Sequence, residues 1–242
     1  MKRIGIVCEG PTDFVALSEF LAESLRHKGI DVEFVDVQPH LDATSLGSGG
    51  GWPNALVWLD NNPLASRLSA YLGQGLFASG LSSKRCDYLI VQIDTDVLDE
   101  DDFKNFVRKR RGIAVATPVG PGDRYDEVQR VLLSFCELAD LADADANKHI
   151  VGPAVENTEA WCISVCDPGL PGVELLKKGA LATEFALRLS SYEASNPKPG
   201  SIKNVERRRD YCKHHKGHFA RLEAACSQYA RLVSELERVT GL

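Results

Sequence analysis

Long apolar runs are missing from this 242-residue chain. Runs such as Tyr88-Leu89-Ile90-Val91 stop far short of the roughly 18 residues that a membrane span requires. Met1-Lys2-Arg3 leads into only a brief apolar stretch before Glu9, too little for a secretory leader. Neither a membrane helix nor a secretory signal is expected. An excess of positive charge is missing too. The chain has 28 Lys and Arg against 34 Asp and Glu, a net charge of −6, which argues against a protein that coats nucleic acid non-specifically. No disulfide framework is present: the seven cysteines are odd in number and unevenly spaced, so a reducing cytoplasm is the expected home. The small-residue run from Ser45 to Gly51 lacks the Gly-Lys-Ser/Thr ending of a phosphate loop, so no intrinsic ATPase activity is expected.

What is present reads as a globular α/β chain. Hydrophobic residues make up 44% and charged residues 26%, ordinary proportions that exclude wholesale disorder or a fibrous repeat. The length suits one large domain or one domain with an elaboration. The apolar run Arg3-Ile4-Gly5-Ile6-Val7-Cys8 reads as a strand that meets a helix at Glu9-Gly10-Pro11-Thr12-Asp13. Phe14, Leu17, Leu21 and Leu25 continue that helix at three- and four-residue steps, and Gly29 ends it. A second strand is expected over Val32 to Val37, then an insertion at about residues 45–84 with short helices. The clearest strand is Asp87 to Ile93, an almost continuous apolar run of the kind buried on both faces of a parallel sheet. A charged helix over Asp99 to Lys109, a strand over Gly112 to Thr117 and a helix over Tyr125 to Leu141 should follow. A looser candidate segment at Val155 to Val165 and a helix near Ala180 to Glu193 come next. This alternation predicts a mainly parallel sheet with helices on both faces. Residues 1–195 are read as that domain and 196–242, beyond a hinge at Asn196 to Ser201, as a basic helical extension.

Three carboxylates fall at strand ends. Glu9 closes the first strand and Asp94 and Asp96 close the central one, which puts all three on the edge where open α/β sheets bind ligands. Their repulsion calls for neutralisation, and a hard divalent cation with oxygen ligands supplies it most directly. Mg²⁺ (or Mn²⁺) is the natural choice, since it leaves positions for phosphate oxygens in phosphoryl transfer or phosphodiester cleavage. An Asp-x-Asp after a strand is also common as loop punctuation, and Asp99-Glu100-Asp101-Asp102 is well explained as helix N-terminal acid.

Ile6-Val7-Cys8-Glu9-Gly10-Pro11-Thr12-Asp13 resembles the first motif of the Toprim (topoisomerase–primase) domain, and Leu89-Ile90-Val91-Gln92-Ile93-Asp94-Thr95-Asp96 resembles its second. The likeness covers roughly residues 3 to 120, and only these two short motifs are specific. It implies a parallel sheet sandwiched by helices, an acid/base or metal-ligand role for Glu9, and Mg²⁺ binding by Asp94 and Asp96. The 85 positions from Glu9 to Asp94 exceed a minimal domain of this type and fit an insertion across Gly47 to Lys84. Val155-Glu156-Asn157-Thr158-Glu159-Ala160-Trp161 resembles a Glu-x-Trp segment of small Toprim-like nucleases of the RloB and overcoming-lysogenization-defect type. That branch implies a nuclease of prokaryotic defence, leaves room for a partner ATPase, and offers Glu159 as a fourth metal carboxylate. A capping or surface glutamate beside a core tryptophan is the alternative for Glu159.

Between Lys198 and Arg221 stand eight basic residues and two acidic ones, a local +6 that leaves the rest of the chain near −12. Arg207, Arg208, Arg209, Lys213 and Lys216 are candidates to hold a polyanion beside the acidic crevice; a solvated helix face is the alternative. Cys212, His214, His215 and His218 have no finger spacing, so zinc is not expected there. Phe219, Leu222, Cys226, Tyr229, Val233 and Leu236 alternate steps of three and four like a short heptad seam, expected to pack on its own domain. The expected activity is Mg²⁺-dependent cleavage of DNA or RNA. The alternatives are a non-catalytic interaction module, whose seam recruits a partner or a second copy, and a metal-dependent phosphohydrolase acting on small nucleotides.

Overall fold

The computed structural model describes residues 1–39, 51–73, 84–167, 170, 172–193 and 202–241. Four strands form one all-parallel sheet in the order β2-β1-β3-β4, with β1 at Lys2–Val7, β2 at Val32–Gln38, β3 at Tyr88–Val91 and β4 at His149–Val151. The helices are α1 (Pro11–His27), α2 (Trp52–Asn61), α3 (Leu64–Ala70), α4 (Asp101–Arg111), α5 (Pro121–Phe135), α6 (Leu141–Ala146), α7 (Thr158–Cys166), α8 (Lys178–Tyr192), α9 (Val205–His215), α10 (Phe219–Ala225) and α11 (Ser227–Thr240).

Strand alternation sorts the core into two layers. Ile4, Ile6, Ile90 and Ile150 point to one face, where α1, α7, α8 and the α9–α11 helices cover them. Leu89, Val91 and Val151 point to the other, where α2, α4 and α5 pack. The chain is therefore an α/β protein with helices on both faces of a parallel sheet, as expected. Tyr211, Cys212, Leu222, Tyr229 and Leu236 belong to the same buried cluster as Phe14 and Leu17 of α1, so α9–α11 build the core of that face and the heptad-like seam is turned inward. No helix among the described residues is long and apolar enough to cross a membrane.

Two sequence expectations are corrected. Residues 112–117 form no strand. Their backbone is served by α5 side chains, with Glu127 accepting from Ala116 N at 2.7 Å and Arg130 donating to Ala114 O at 2.7 Å. The fourth strand is the three-residue β4, too brief to carry a periodic signal. The helix expected over Tyr125 to Leu141 stops at Phe135, because Glu137 takes a left-handed φ of 57° and α6 starts afresh behind its Asp140 cap. Parts of the expected insertion (45–50 and 74–83), the hinge at Asn196 to Ser201 and Lys198 lie outside the described residues.

Candidate metal centre at the sheet switch point

β1 is flanked by β2 on one side and β3 on the other, so the crossovers diverge between β1 and β3. That is the switch point at which parallel sheets open a crevice beyond their carboxyl ends. Glu9 leaves β1 there and Asp94 leaves β3, and the two meet: the Asp94 backbone N–H donates to Glu9 Oε1 at 2.8 Å. Gln92 Nε2 donates to Asp94 Oδ1 at 2.9 Å. Asp96 opens a 3₁₀ turn at Thr95–Asp99. That turn is tied to the segment after β4 by Thr95 N–H to Ala154 O at 2.9 Å and Asp96 N–H to Glu156 O at 3.1 Å.

The cluster is wider than the three residues predicted. Asp13, in the first turn of α1, is 4% exposed and accepts from the Thr158 hydroxyl at 2.6 Å. Glu159, in the first turn of α7, is 1% exposed. Burial, then the neighbouring charges of Asp13 and Asp96, push the Glu9 carboxyl up to about 8. Asp94 is raised strongly by burial and by Glu9, Asp13 is raised chiefly by burial, and Asp96 reaches about 6 for the same reason although Lys178 opposes it. Glu159 goes the other way. Burial alone would raise it, but Arg208 and Lys203 outweigh that and hold it near 2.

Cations close the cluster from two sides. Arg208, with no exposed surface, donates to Glu159, and Lys203 Nζ lies 3.2 Å from the same carboxylate. Lys178, at the start of α8, places Nζ 3.1 Å from Asp96 Oδ2. Beside these, Arg124 braces the 3₁₀ turn: Nε lies 2.9 Å from Glu156 Oε1, Nη1 bonds Asp99 at 3.1 Å and Nη2 bonds Thr95 O at 2.8 Å. Sequence reasoning missed Asp13, Lys178 and Arg124, and counted Lys203 only within the basic segment. Asp13 alone left a trace, as the acid one helical turn beyond Glu9.

The basic residues separate on inspection. Arg207 is buried and forms a two-pronged pair with Glu193, with Nε to Oε1 at 2.9 Å, and Arg208 is fully buried on Glu159. Both therefore leave the predicted polyanion face, because each neutralises an internal carboxylate. Arg209 pairs with Glu206, Lys216 with Glu19, and Lys213 is exposed. Arg208 on Glu159 also means that this carboxylate already has counter-ions before any metal arrives.

Whether a divalent ion fits can be judged from the donors. They are carboxylate oxygens only, which suits a hard cation and not zinc. Gln92 Oε1 and Glu159 Oε2 are buried acceptors with no hydrogen-bond partner among the described residues. Five carboxylates (Glu9, Asp13, Asp94, Asp96, Glu159) against three cations (Lys178, Lys203, Arg208) leave two negative charges when all are ionised. The chemistry of the donor set fits Mg²⁺ or Mn²⁺. Yet no group of three or more His, Cys, Asp and Glu among the described residues is arranged to hold a metal ion; Glu9 Oε1 accepts from an amide and Asp96 Oδ2 faces Lys178. In the Cys212 and histidine group, Cys212 Sγ is 4.0 Å from Cys162 Sγ, while the His215 ring packs against His214, His218, Tyr211 and Tyr192.

Compared with protein-family models, curated proteins and solved structures, the chain finds no match.

Proposed function

We propose that the chain is a cytoplasmic, Mg²⁺- or Mn²⁺-dependent phosphodiesterase of Toprim type that cleaves DNA or RNA. The observation that supports this most is the hydrogen bond that joins Glu9 to the Asp94 amide across the β1/β3 switch point, inside a cluster of five carboxylates that outnumber their three cations. In this reading Glu9, Asp94 and Asp96 hold the ion, with Glu159 at their side. Bound there, the ion would polarise the phosphodiester and lower the pKa of a bound water. Without a metal Glu9, raised to about 8, carries a proton at neutral pH, so it either gives that proton up to complete the metal set or moves one at Oε2, the oxygen that does not accept from Asp94. Arg208 and Lys203 keep Glu159 ionised, and Arg124 fixes the turn from which Asp96 projects. A role in prokaryotic defence, with a partner ATPase, rests on the likeness of residues 155–161 and travels with the same proposal.

A second reading, a phosphohydrolase of small nucleotides, shares this site and gains from the inward turn of Arg207 and Arg208, which removes two contacts to a polymer. The interaction-module reading loses support, because Leu222 and Leu236 of its seam are fully buried within the chain.

The test is calorimetric titration of Mg²⁺ and Mn²⁺ into the wild type and into Asp94→Asn/Asp96→Asn, followed by cleavage assays of Glu9→Gln and Asp94→Asn. Binding by the wild type alone, with both single variants folded and inactive, is the expected result. No binding at millimolar metal, even with an oligonucleotide present, or wild-type cleavage by either variant, overturns the assignment.

A further inference from the structure

Two exposed lysines meet the candidate metal set, Lys178 on Asp96 and Lys203 on Glu159. Arg208 is locked in the core with Glu159. Lys177 lies 3.1 Å from Asp99 and 3.3 Å from Glu156, both of which Arg124 also holds. Those two cations and two carboxylates balance one another. Lys203 shares Glu159 with the buried Arg208, whereas Lys178 is the cation on Asp96, with Nζ 3.1 Å from Asp96 Oδ2 and 3.5 Å from Glu100 Oε1. Its side chain is 64% exposed, whereas that of Asp96 is 7% exposed. An ammonium on a four-carbon stem is a mobile, readily hydrated charge, so it can leave Asp96 at small cost while Asp96 cannot leave the site. Gln92, which donates to Asp94, keeps a buried Oε1 with no hydrogen-bond partner among the described residues, an acceptor for a water of an arriving cation.

We propose that Lys178 is the built-in counter-ion of the crevice: its ammonium holds Asp96 while no divalent cation is bound, and it turns to a backbone phosphate of the nucleic-acid substrate when one is. This rests on the phosphodiesterase reading and adds an exchange to it. The two occupants of Asp96 compete, so metal and lysine exclude each other there. The displaced ammonium remains at the mouth of the crevice, where a phosphate diester entering the site would meet it.

The exchange has a signature that needs no turnover. In calorimetric titration with Mn²⁺, Lys178→Gln should bind more tightly than the wild type by about twofold to fivefold, the factor that an exposed ion pair corresponds to. Lys178→Arg, which keeps the charge, should stay close to the wild type, and so should Lys177→Gln. For a fluorescent oligonucleotide with non-cleavable backbone linkages at saturating Mn²⁺, Lys178→Gln should bind severalfold more weakly than the wild type. Without metal it should bind as its parent does. If the wild type binds Mn²⁺ and Lys178→Gln binds it equally or more weakly, the exchange is wrong and the phosphodiesterase reading survives. If the folded wild type takes up no Mn²⁺, both are wrong.

Discussion

Glu9 carries the largest consequence of any single side chain. Its carboxyl is pushed to about 8 in the folded protein by burial and by Asp13 and Asp96, while in an unfolded chain it titrates near 4.5. Between these values the native state binds a proton that the unfolded state has already lost, so the slope of stability against pH is negative across this window. Asp96, raised to about 6 from 3.8, adds to the same slope at the acidic end. In chelator, the melting temperature of the wild type should therefore fall as pH rises from 6 to 8 and level off above. Glu9→Gln, which holds no titrating proton, should flatten that fall. Thermal denaturation at pH 6, 7 and 8 decides it, since equal slopes for the two proteins would mean that Glu9 is ionised throughout. Arg208 works in the opposite sense by keeping Glu159 charged near 2, so that carboxylate stays ionised while its neighbours hold protons.

Elements differ in how plainly they declare themselves. β1, α1 and β3 are legible because each joins a strong periodic signal to a defined end: Gly10 and Pro11 start α1, and Gly29, with φ of 77°, closes it. Gly5 in β1 shows how tightly the sheet is then packed. A Cβ there would lie 2.9 Å from Cys86 Sγ, Leu89 Cδ1 and Val37 Cγ2, on the face opposite Ile4 and Ile6. Gly5→Ala should cost about 1–3 kcal/mol through overpacking, read as a lower urea midpoint with an unchanged m-value. A loss below about 0.5 kcal/mol would show that this layer yields more easily than a packed core does. Where elements were illegible, the reason is physical. The run Gly112 to Thr117 has strand composition, yet α5 side chains take its backbone bonds, and β4 has only three residues. Glu9, Asp94 and Asp96 were readable because they follow apolar strands, whereas Asp13 lies within a helix and was missed. Of their counter-ions, Lys203 and Arg208 were visible in the basic segment but were read as facing a polyanion, and Lys178 reaches the site by tertiary packing with no local pattern.

At the scale of the whole molecule, the question is whether the positive charge of the C-terminal region leads a polymer to the crevice. The chain as a whole carries −6, so any polyanion must be held locally and not by net charge. Contacts give α9 a direction. Lys203, just before it, lies on Glu159, while Lys216, just after it, pairs with Glu19, six residues along α1 from Asp13. α9 therefore runs alongside α1 away from the crevice, and at about 1.5 Å per residue its exposed charges extend on the order of 15 Å from Lys203. Arg209 and Lys213 lie on that path, and neither is fully buried. A dinucleotide in the crevice would not reach them, whereas a strand of several nucleotides would. Arg209→Glu/Lys213→Glu should thus leave hydrolysis of a dinucleotide substrate unchanged. It should weaken binding of a long oligonucleotide and lower the slope of log K against log salt by about 1.4–1.8, the value for two lost phosphate contacts. Unchanged binding and salt dependence for the long substrate would remove α9 as a track and favour small nucleotides as the substrate.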